Sequence, residues 1–301
     1  FFAIELRDGR LFGTPIDILN HASKVAIVAV GMTLVIATGG VDLSVGAVVS
    51  IAGAIAAMLV TRTRAPFPLV ALAALGAGGV AGLCNGLLVT RLRLQPIVAT
   101  LVLMVAGRGV AQLITNGQII TFTDPTLAFV GNGHLLGLPF PVTLVVAATV
   151  LLALLVRGTA AGLFIAAVGG NETASRFAGL DVRAVKFLVY VVSGLCAGVA
   201  GVVAAANIKA ADANHAGLFL ELDAIVAVVL GGTPLTGGRF QLLGSLLGAL
   251  FIQTLTTTMY LRDVSADVAL VPKAVVVLVV CLLQSEALRD RLRGLARWRA
   301  Q

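Results

Sequence analysis

Side chains able to do chemistry are scarce in this sequence, and several sit where they are expensive. In "GGVDLSVG", residues 39–46, an aspartate and a serine interrupt one of the most apolar stretches of the chain. A carboxylate at the centre of a lipid-facing helix costs about 2.5–3.5 kcal/mol on insertion scales, so Asp42 needs a local reason. The other polar groups inside apolar stretches are Asn85, Arg108, Gln112, Asn207, Glu221, Asp223 and Gln253. Arg108 and Gln112 stand four apart and share a helical face. Neutral amides with a lone guanidinium suit hydroxyl-rich solutes better than bulk ions. Interhelical hydrogen bonding accounts equally well for Asn85 or Gln253 taken alone. The sequence has no G-x-x-x-x-G-K-[ST], H-E-x-x-H or G-x-S-x-G motif. Cys84, Cys196 and Cys281 lack metal-ligand spacing and read as small buried hydrophobes. The expectation is no catalytic residue, no metal and no cofactor in this chain. The carboxylates are also too few, and too clearly capping or edge-placed, for a proton relay.

The elements that must position these groups follow from composition. The 301 residues are 59% hydrophobic and 12% charged, with mean hydropathy +1.05. Apolar runs of about 15–22 residues match the roughly 20 that one helix needs to cross a bilayer, and nothing alternates as a barrel strand would. The fold class is therefore all-α and polytopic. Nine apolar segments are expected at about 25–38, 41–60, 69–90, 97–115, 142–157, 187–206, 223–231, 241–259 and 270–284. Before them, "TPID" predicts a short interfacial helix through Lys24, with Thr14 as N-cap and Pro15 opening the first turn. The net charge of +7 is dispersed at segment ends, which argues for topology and against nucleic acid. With the C-terminus inside, Lys and Arg divide 12 inside against 8 outside, and Phe1 falls outside, so one upstream helix is expected. The tail at 286–301 alternates Arg with Leu and Trp, and reads as a topology anchor ahead of an anionic-lipid binder.

"GGVDLSVG" has a counterpart in "GGTPLTGG", residues 231–238, aligned without gaps at an offset of 192 as GG-x-x-L-[ST]-x-G. The offset maps 41–60 onto 233–252 and 69–90 onto 261–282 in the same orientation, which predicts a parallel repeat. Residues 1–95 form a first copy lacking its first helix, 96–166 an insertion, and 187–285 the second copy, within one membrane domain. Asp42 aligns with Pro234, and the two share only the ability to begin a helix. Each motif thus predicts a helix break at Gly39 and Gly40 or at Gly231, Gly232 and Pro234. Broken backbone at membrane depth survives only beside protein or a water-filled cavity. The candidate lining of a solute path is Asn85, Arg108, Gln112, Asp42, Ser44, Thr236, Asn207 and Gln253. Gly78, Gly82 and Gly86, Gly194 with Gly198, and Gly244 with Gly248 read as packing faces.

The segment 167–186, "AVGGNETASRFAGLDVRAVK", is the longest polar stretch on the inner side. Asn171 can cap a helix beginning at Glu172, Arg176 suits its C-terminal end, Gly179 supplies a left-handed C′ residue, and Asp181 can cap the next helix. So short a helix needs something to dock on, which implies a partner.

These same stretches, with "GMTLVIATGGVDLSVGAVVSIAGA" and "ELDAIVAVVLGGTPLTGGRF", resemble the ribose/xylose-type permease subunits of bacterial ABC importers. "LRDGRLFGTPIDILN" and "LMVAGRGVAQLITNGQIITF" are similar to the galactofuranose branch of that family. The resemblance covers essentially the whole chain. It implies about ten helices in the inner membrane and a second permease subunit, of a different type in the galactofuranose branch. It also implies a cytoplasmic ATPase that binds ATP and Mg, and a periplasmic sugar-binding protein docking on loops 61–68, 116–141, 207–217 and 262–267. Gly170, Asn171, Glu172, Thr173, Ala174, Ser175, Arg176, Phe177, Ala178 and Gly179 correspond to the helix that docks on the ATPase. Pro234 departs from relatives with flexible residues there. Other cargoes (ribose, autoinducer-2, branched-chain amino acids) and an ATP-independent channel or transporter remain alternatives.

Overall fold

The computed structural model describes residues 4–7, 10–265, 268, 271–276 and 278–279. A hairpin, β1 (Glu5–Arg7) and β2 (Arg10–Phe12), precedes α1 (Thr14–Ala37), α2 (Val45–Thr63), α3 (Phe67–Thr90) and α4 (Pro96–Thr115). Then come β3 (Ile120–Thr121), α5 (Pro125–Asn132), the β4 (His134–Leu135) and β5 (Leu138–Pro139) hairpin, α6 (Phe140–Gly158), α7 (Ala161–Gly170) and α8 (Glu172–Phe177). The chain continues through α9 (Val182–Ile208), β6 (Ala210–Ala211), α10 (Leu220–Leu230) and α11 (Leu242–Tyr260). Seven of these helices (α1, α2, α3, α4, α6, α9 and α11) are long and apolar enough to cross a membrane. Eight of the nine expected segments are described throughout, and each has a helix. The ninth, 270–284, is described only in part, at 271–276 and 278–279, which are helical, and the tail at 286–301 lies wholly outside the described residues.

The beginning of the chain differs from expectation. There is no separate interfacial helix ending at Lys24, because α1 runs unbroken from Thr14 to Ala37. Its N-cap is Gly13, not Thr14, and makes no side-chain cap bond. Lys24 is half-buried within α1. Its long apolar stem lets it occupy a helix interior position where a segment end was expected. Two helices also appear where loops were read: α5, capped by Asp124 accepting from the Leu127 amide at 2.8 Å, and the apolar α7.

Packing is arranged around α1 and α9. Helix α1 is enclosed along most of its length, whereas α3, α4 and α6 keep mostly exposed apolar faces that call for lipid or a partner subunit. Helices α3 and α9 run antiparallel with their glycines meshed. A methyl group at Gly78 would overlap the Gly194 carbonyl, and one at Gly82 the Tyr190 carbonyl. In lipid no hydrophobic force drives helices together, so backbone approach of this kind supplies the attraction. Gly244 and Gly248 do the same for α11, packing against the Gly231 and Ala227 carbonyls of α10. That pairing makes α10 and α11 an antiparallel hairpin.

Both motifs end one helix and precede another. Gly39 (φ +75°) and Gly232 (φ +89°) occupy the left-handed C′ position that glycine alone adopts without strain. The Gly40 amide bonds Val35 O at 3.1 Å and the Thr233 amide bonds Val228 O at 3.2 Å, giving the same six-to-one closure twice. The helix starts are not where the alignment put them. Ser44, not Asp42, precedes α2, and α11 begins eight residues after Pro234 behind Gln241.

Candidate functional site

Three constellations of residues stand out. The first is built on Asp42. Its Oδ1 accepts from the Ser44 amide (3.1 Å), the Ser44 hydroxyl (2.7 Å) and Asn85 Nδ2 (3.2 Å), and its Oδ2 accepts from the Ser193 hydroxyl at 2.9 Å. Asn85 Nδ2 also donates to Ser44 Oγ at 2.8 Å, and the Tyr190 hydroxyl donates to Val41 O at 3.3 Å. All five side chains are 1% exposed or less, so they face one another rather than an open passage. The carboxylate thus ties the turn after α1 to α3 and α9, and its bond to the amide two residues on makes an Asx turn in place of a helix cap.

The second is the loop 212–219 between β6 and α10. It descends from the β3–β6 pairing, Ile120 with Ala211, to the level of Gly46 near the start of α2. Asp212 shapes it by accepting from the Asn214 and His215 amides (2.9 and 3.3 Å) and meeting His215 Nδ1 at 2.7 Å. Side chains of α2 and α4 grip it. Ser50 donates to Ala213 O (3.2 Å), Arg108 to Ala213 O (3.4 Å) and to Ala216 O, and Gln112 to Asn214 Oδ1 (2.9 Å). On its other side the loop walls a cavity of about 240 Å³, where Lys24, Ser50, Asp212, His215 and Asp223 project among alanines and glycines. Lys273 pairs with Asp223 at 3.0 Å. Glu221 lies buried in the first turn of α10, its Oε2 against Gly46 and without a hydrogen-bond partner among the described residues.

The third joins the motifs to the polar segment. The Gly238 amide donates to Ala37 O at 3.0 Å, and a methyl group at Gly237 would stand 2.8 Å from the Gly39 amide nitrogen. Gly169, near the end of α7, fits between them: a methyl group there would overlap Ala37 O and lie 2.5 Å from Gly238 N. Three backbone segments therefore touch directly, and the third leads within two residues into α8. Helix α8 is closed as its sequence predicts. Asn171 Oδ1 accepts from the Ala174 amide (2.9 Å), Gly179 has φ +86°, and Asp181 Oδ1 accepts from the Ala184 amide (3.1 Å) to start α9. Glu172 meets Lys186 at 2.6 Å and Arg176 at 3.1 Å, and the hydrogen bond from Lys186 holds its carboxyl below the ordinary value. Phe177 is 89% exposed, an aromatic ring projecting from a polar helix.

Residues 14–282 match the family described as branched-chain amino acid transport system, permease component. The chain belongs to that family of permease components. It is 56% identical over 98% of its length to the galactofuranose transporter permease protein YtfT of Escherichia coli K12, covering 86% of that protein. It is 41% identical to the fructose import permease protein FruF of Bifidobacterium longum (97% of this chain, 83% of that one). It is 40% identical to the ribose import permease protein RbsC of Escherichia coli K12 (90% and 85%). No solved structure matches. A permease of this family with these spans is a multi-pass protein of the inner membrane.

Within this permease the expected lining residues do not form one site. Asp42, Ser44 and Asn85 join the buried hub, and Arg108 and Gln112 hold the 212–219 loop. Asn207 bonds Gly131 O at 2.6 Å and ties α9 to α5, Gln253 bonds Thr257 within α11 at 3.2 Å, and Thr236 is exposed in the second turn. Sequence reasoning missed Tyr190 and Ser193, three apart on one face of α9, and the Ser50, Asp212 and His215 set. The available signal was polar side chains, hydroxyls included, recurring at helical spacing inside apolar runs.

Proposed function

We propose that the chain is the membrane-spanning subunit of an ATP-driven importer that takes a monosaccharide, galactofuranose first, from a periplasmic binding protein to the cytoplasm. Its partners in this reading are a cytoplasmic ATPase, which binds ATP and Mg, and a second permease subunit of a different type. The observation that carries it is the 56% identity across 98% of the chain to a galactofuranose permease. The fold supports the transport chemistry independently. A bilayer-spanning protein that moves a polyhydroxylated solute needs hydrogen-bonding groups enclosed within the membrane, together with an element that can shift. The cavity beside Lys24, Asp212 and Asp223 provides both donors and acceptors. The loop gripped by Arg108 and Gln112 is the outward gate, and the Asp42 hub is the rigid floor behind it. On the opposite face α8 docks on the ATPase, with Phe177 as its anchor. Its displacement passes through Gly169 to both glycine turns.

The test is reconstitution of the permease pair with its ATPase and binding protein in liposomes. ATP hydrolysis stimulated by binding protein loaded with the furanose form, and weakly by the pyranose or by ribose, is the expected result. Stimulation by ribose or fructose alone assigns the chain to the ribose or fructose relatives' cargo. Solute uptake by this chain without ATPase refutes the coupling.

A further inference from the structure

We infer that the cleft where α3, α8 and α9 meet is a binding site for an anionic phospholipid of the cytoplasmic leaflet. The cleft measures about 680 Å³ and is lined by Arg91 from the end of α3, Arg176 from α8, and Arg183, Leu87 and Phe187. Arg176 is already paired with Glu172, and Asp181 in the same cleft is occupied as the cap of α9. Arg91 and Arg183 line the cleft as exposed cations, which gives it a net positive character suited to a phosphate.

What lies above the cleft identifies the rest of the ligand. Leu87 opens an exposed apolar face on α3 that continues through Leu83, Val80 and Leu72, at helical spacing. Ala184 opens a matching face on α9 that continues through Leu188 and Leu195. The meshed glycines hold the two helices in contact, so these apolar faces lead from the arginines toward the bilayer centre. A ligand that fills head and tracks together has a phosphate at the membrane surface and hydrocarbon beneath it. A soluble acidic protein segment would satisfy the arginines and leave both apolar faces bare. The leaflet follows from the orientation in the proposed function, and the lipid site itself does not depend on which solute is carried. Because Arg176 belongs to α8, a lipid seated here would also brace the docking helix.

The test is native mass spectrometry of the assembled transporter in detergent, titrated with phosphatidylglycerol, with phosphatidylcholine and inorganic phosphate as controls. The parent should retain phosphatidylglycerol in preference to phosphatidylcholine. Arg91→Gln with Arg183→Gln should lose that retention at least tenfold, while Arg91→Lys with Arg183→Lys keeps most of it. Should the double glutamine variant fail to assemble, Arg183→Gln alone is read, with at least a threefold loss expected. Undiminished retention in the glutamine variants would overturn the site and assign lipid binding elsewhere, for example to the basic tail. Equal retention of phosphatidylcholine, or displacement by equimolar inorganic phosphate, would overturn it too. So would loss of the ATPase subunit with lipid retention intact, since the cleft would then face protein.

Discussion

Gly169→Ala is the sharpest perturbation this structure offers. The new methyl carbon would overlap Ala37 O, and Gly238 N, at 2.5 Å, would have to retreat by about half an ångström before the contact became tolerable. Both obstacles are backbone, so no rotamer change relieves them. Overpacking of this kind costs about 1–3 kcal/mol. Separating the segments also stretches the Gly238–Ala37 hydrogen bond, now 3.0 Å, for about another 1 kcal/mol. If the junction transmits motion from α8, a penalty of about 2–4 kcal/mol on its closed arrangement lowers coupling by roughly 30-fold to several hundred-fold. The assay is ATP hydrolysis by the assembled complex with and without loaded binding protein, alongside membrane insertion and thermal stability. Stimulation should collapse while the basal rate and insertion persist. The neighbour provides the control, because a methyl group at Gly170 meets only Gly238 Cα, at 3.9 Å. Gly170→Ala should therefore behave as the parent. Normal stimulation in Gly169→Ala, or an equal loss in Gly170→Ala, would refute the mechanical role.

Three further outcomes are expected. Arg108→Gln should reduce uptake about tenfold or more, since a charge-assisted hydrogen bond contributes about 1.5–3 kcal/mol; in a double-mutant cycle with Gln112→Ala the losses should be non-additive, and strict additivity would show that the two do not hold one loop. Asp42→Asn keeps the shape but sets an amide nitrogen against donors, so thermal unfolding in detergent should show a loss of about 2–4 kcal/mol, and an unchanged transition would dissolve the hub. Glu172 has a lowered carboxyl value, so its bracing of α8 is fully present above the ordinary value of 4.5 and is lost only as pH falls through the lower folded value. Stimulated hydrolysis should thus keep its Glu172 contribution from about pH 8 to about pH 5, with Glu172→Gln impaired equally across that window; an effect confined to the acid end would reverse the sign.

How much the sequence disclosed depended on how local the determinant was. Helix α8 was legible to the residue because Asn171, Gly179 and Asp181 act within one turn of themselves. The glycine seams between α3 and α9 and between α10 and α11 were legible as spacing, though their partners were not. The Asp42 hub was illegible because its donors come from residues 43 and 151 positions away, and no local pattern announces Asn85 or Ser193 as its company. Lys24 misled for the opposite reason: a charge was read as a boundary, but α1 carries it inside the fold.

The two motifs show the limit most clearly. Over eight positions they align without a gap, yet α2 starts at Val45, whereas its aligned residue Gly237 sits at φ +82° and Gly238 at φ +86°. Valine is barred from that conformation by its branched side chain and so accepts a helical start. Two glycines are not barred, and they delay α11 to Leu242. The delay leaves residues 237–238 as non-helical glycine backbone: the Gly237 amide closes its own turn on Pro234 O, and the Gly238 amide bonds Ala37 O at the end of α1. The copies therefore interlock because they differ at the one pair of positions where a strict repeat would have made both begin helices. Restoring the repeat by Gly237→Val should extend strain through Ala37 and Gly169 together, and it should uncouple the protein more severely than any substitution within α2.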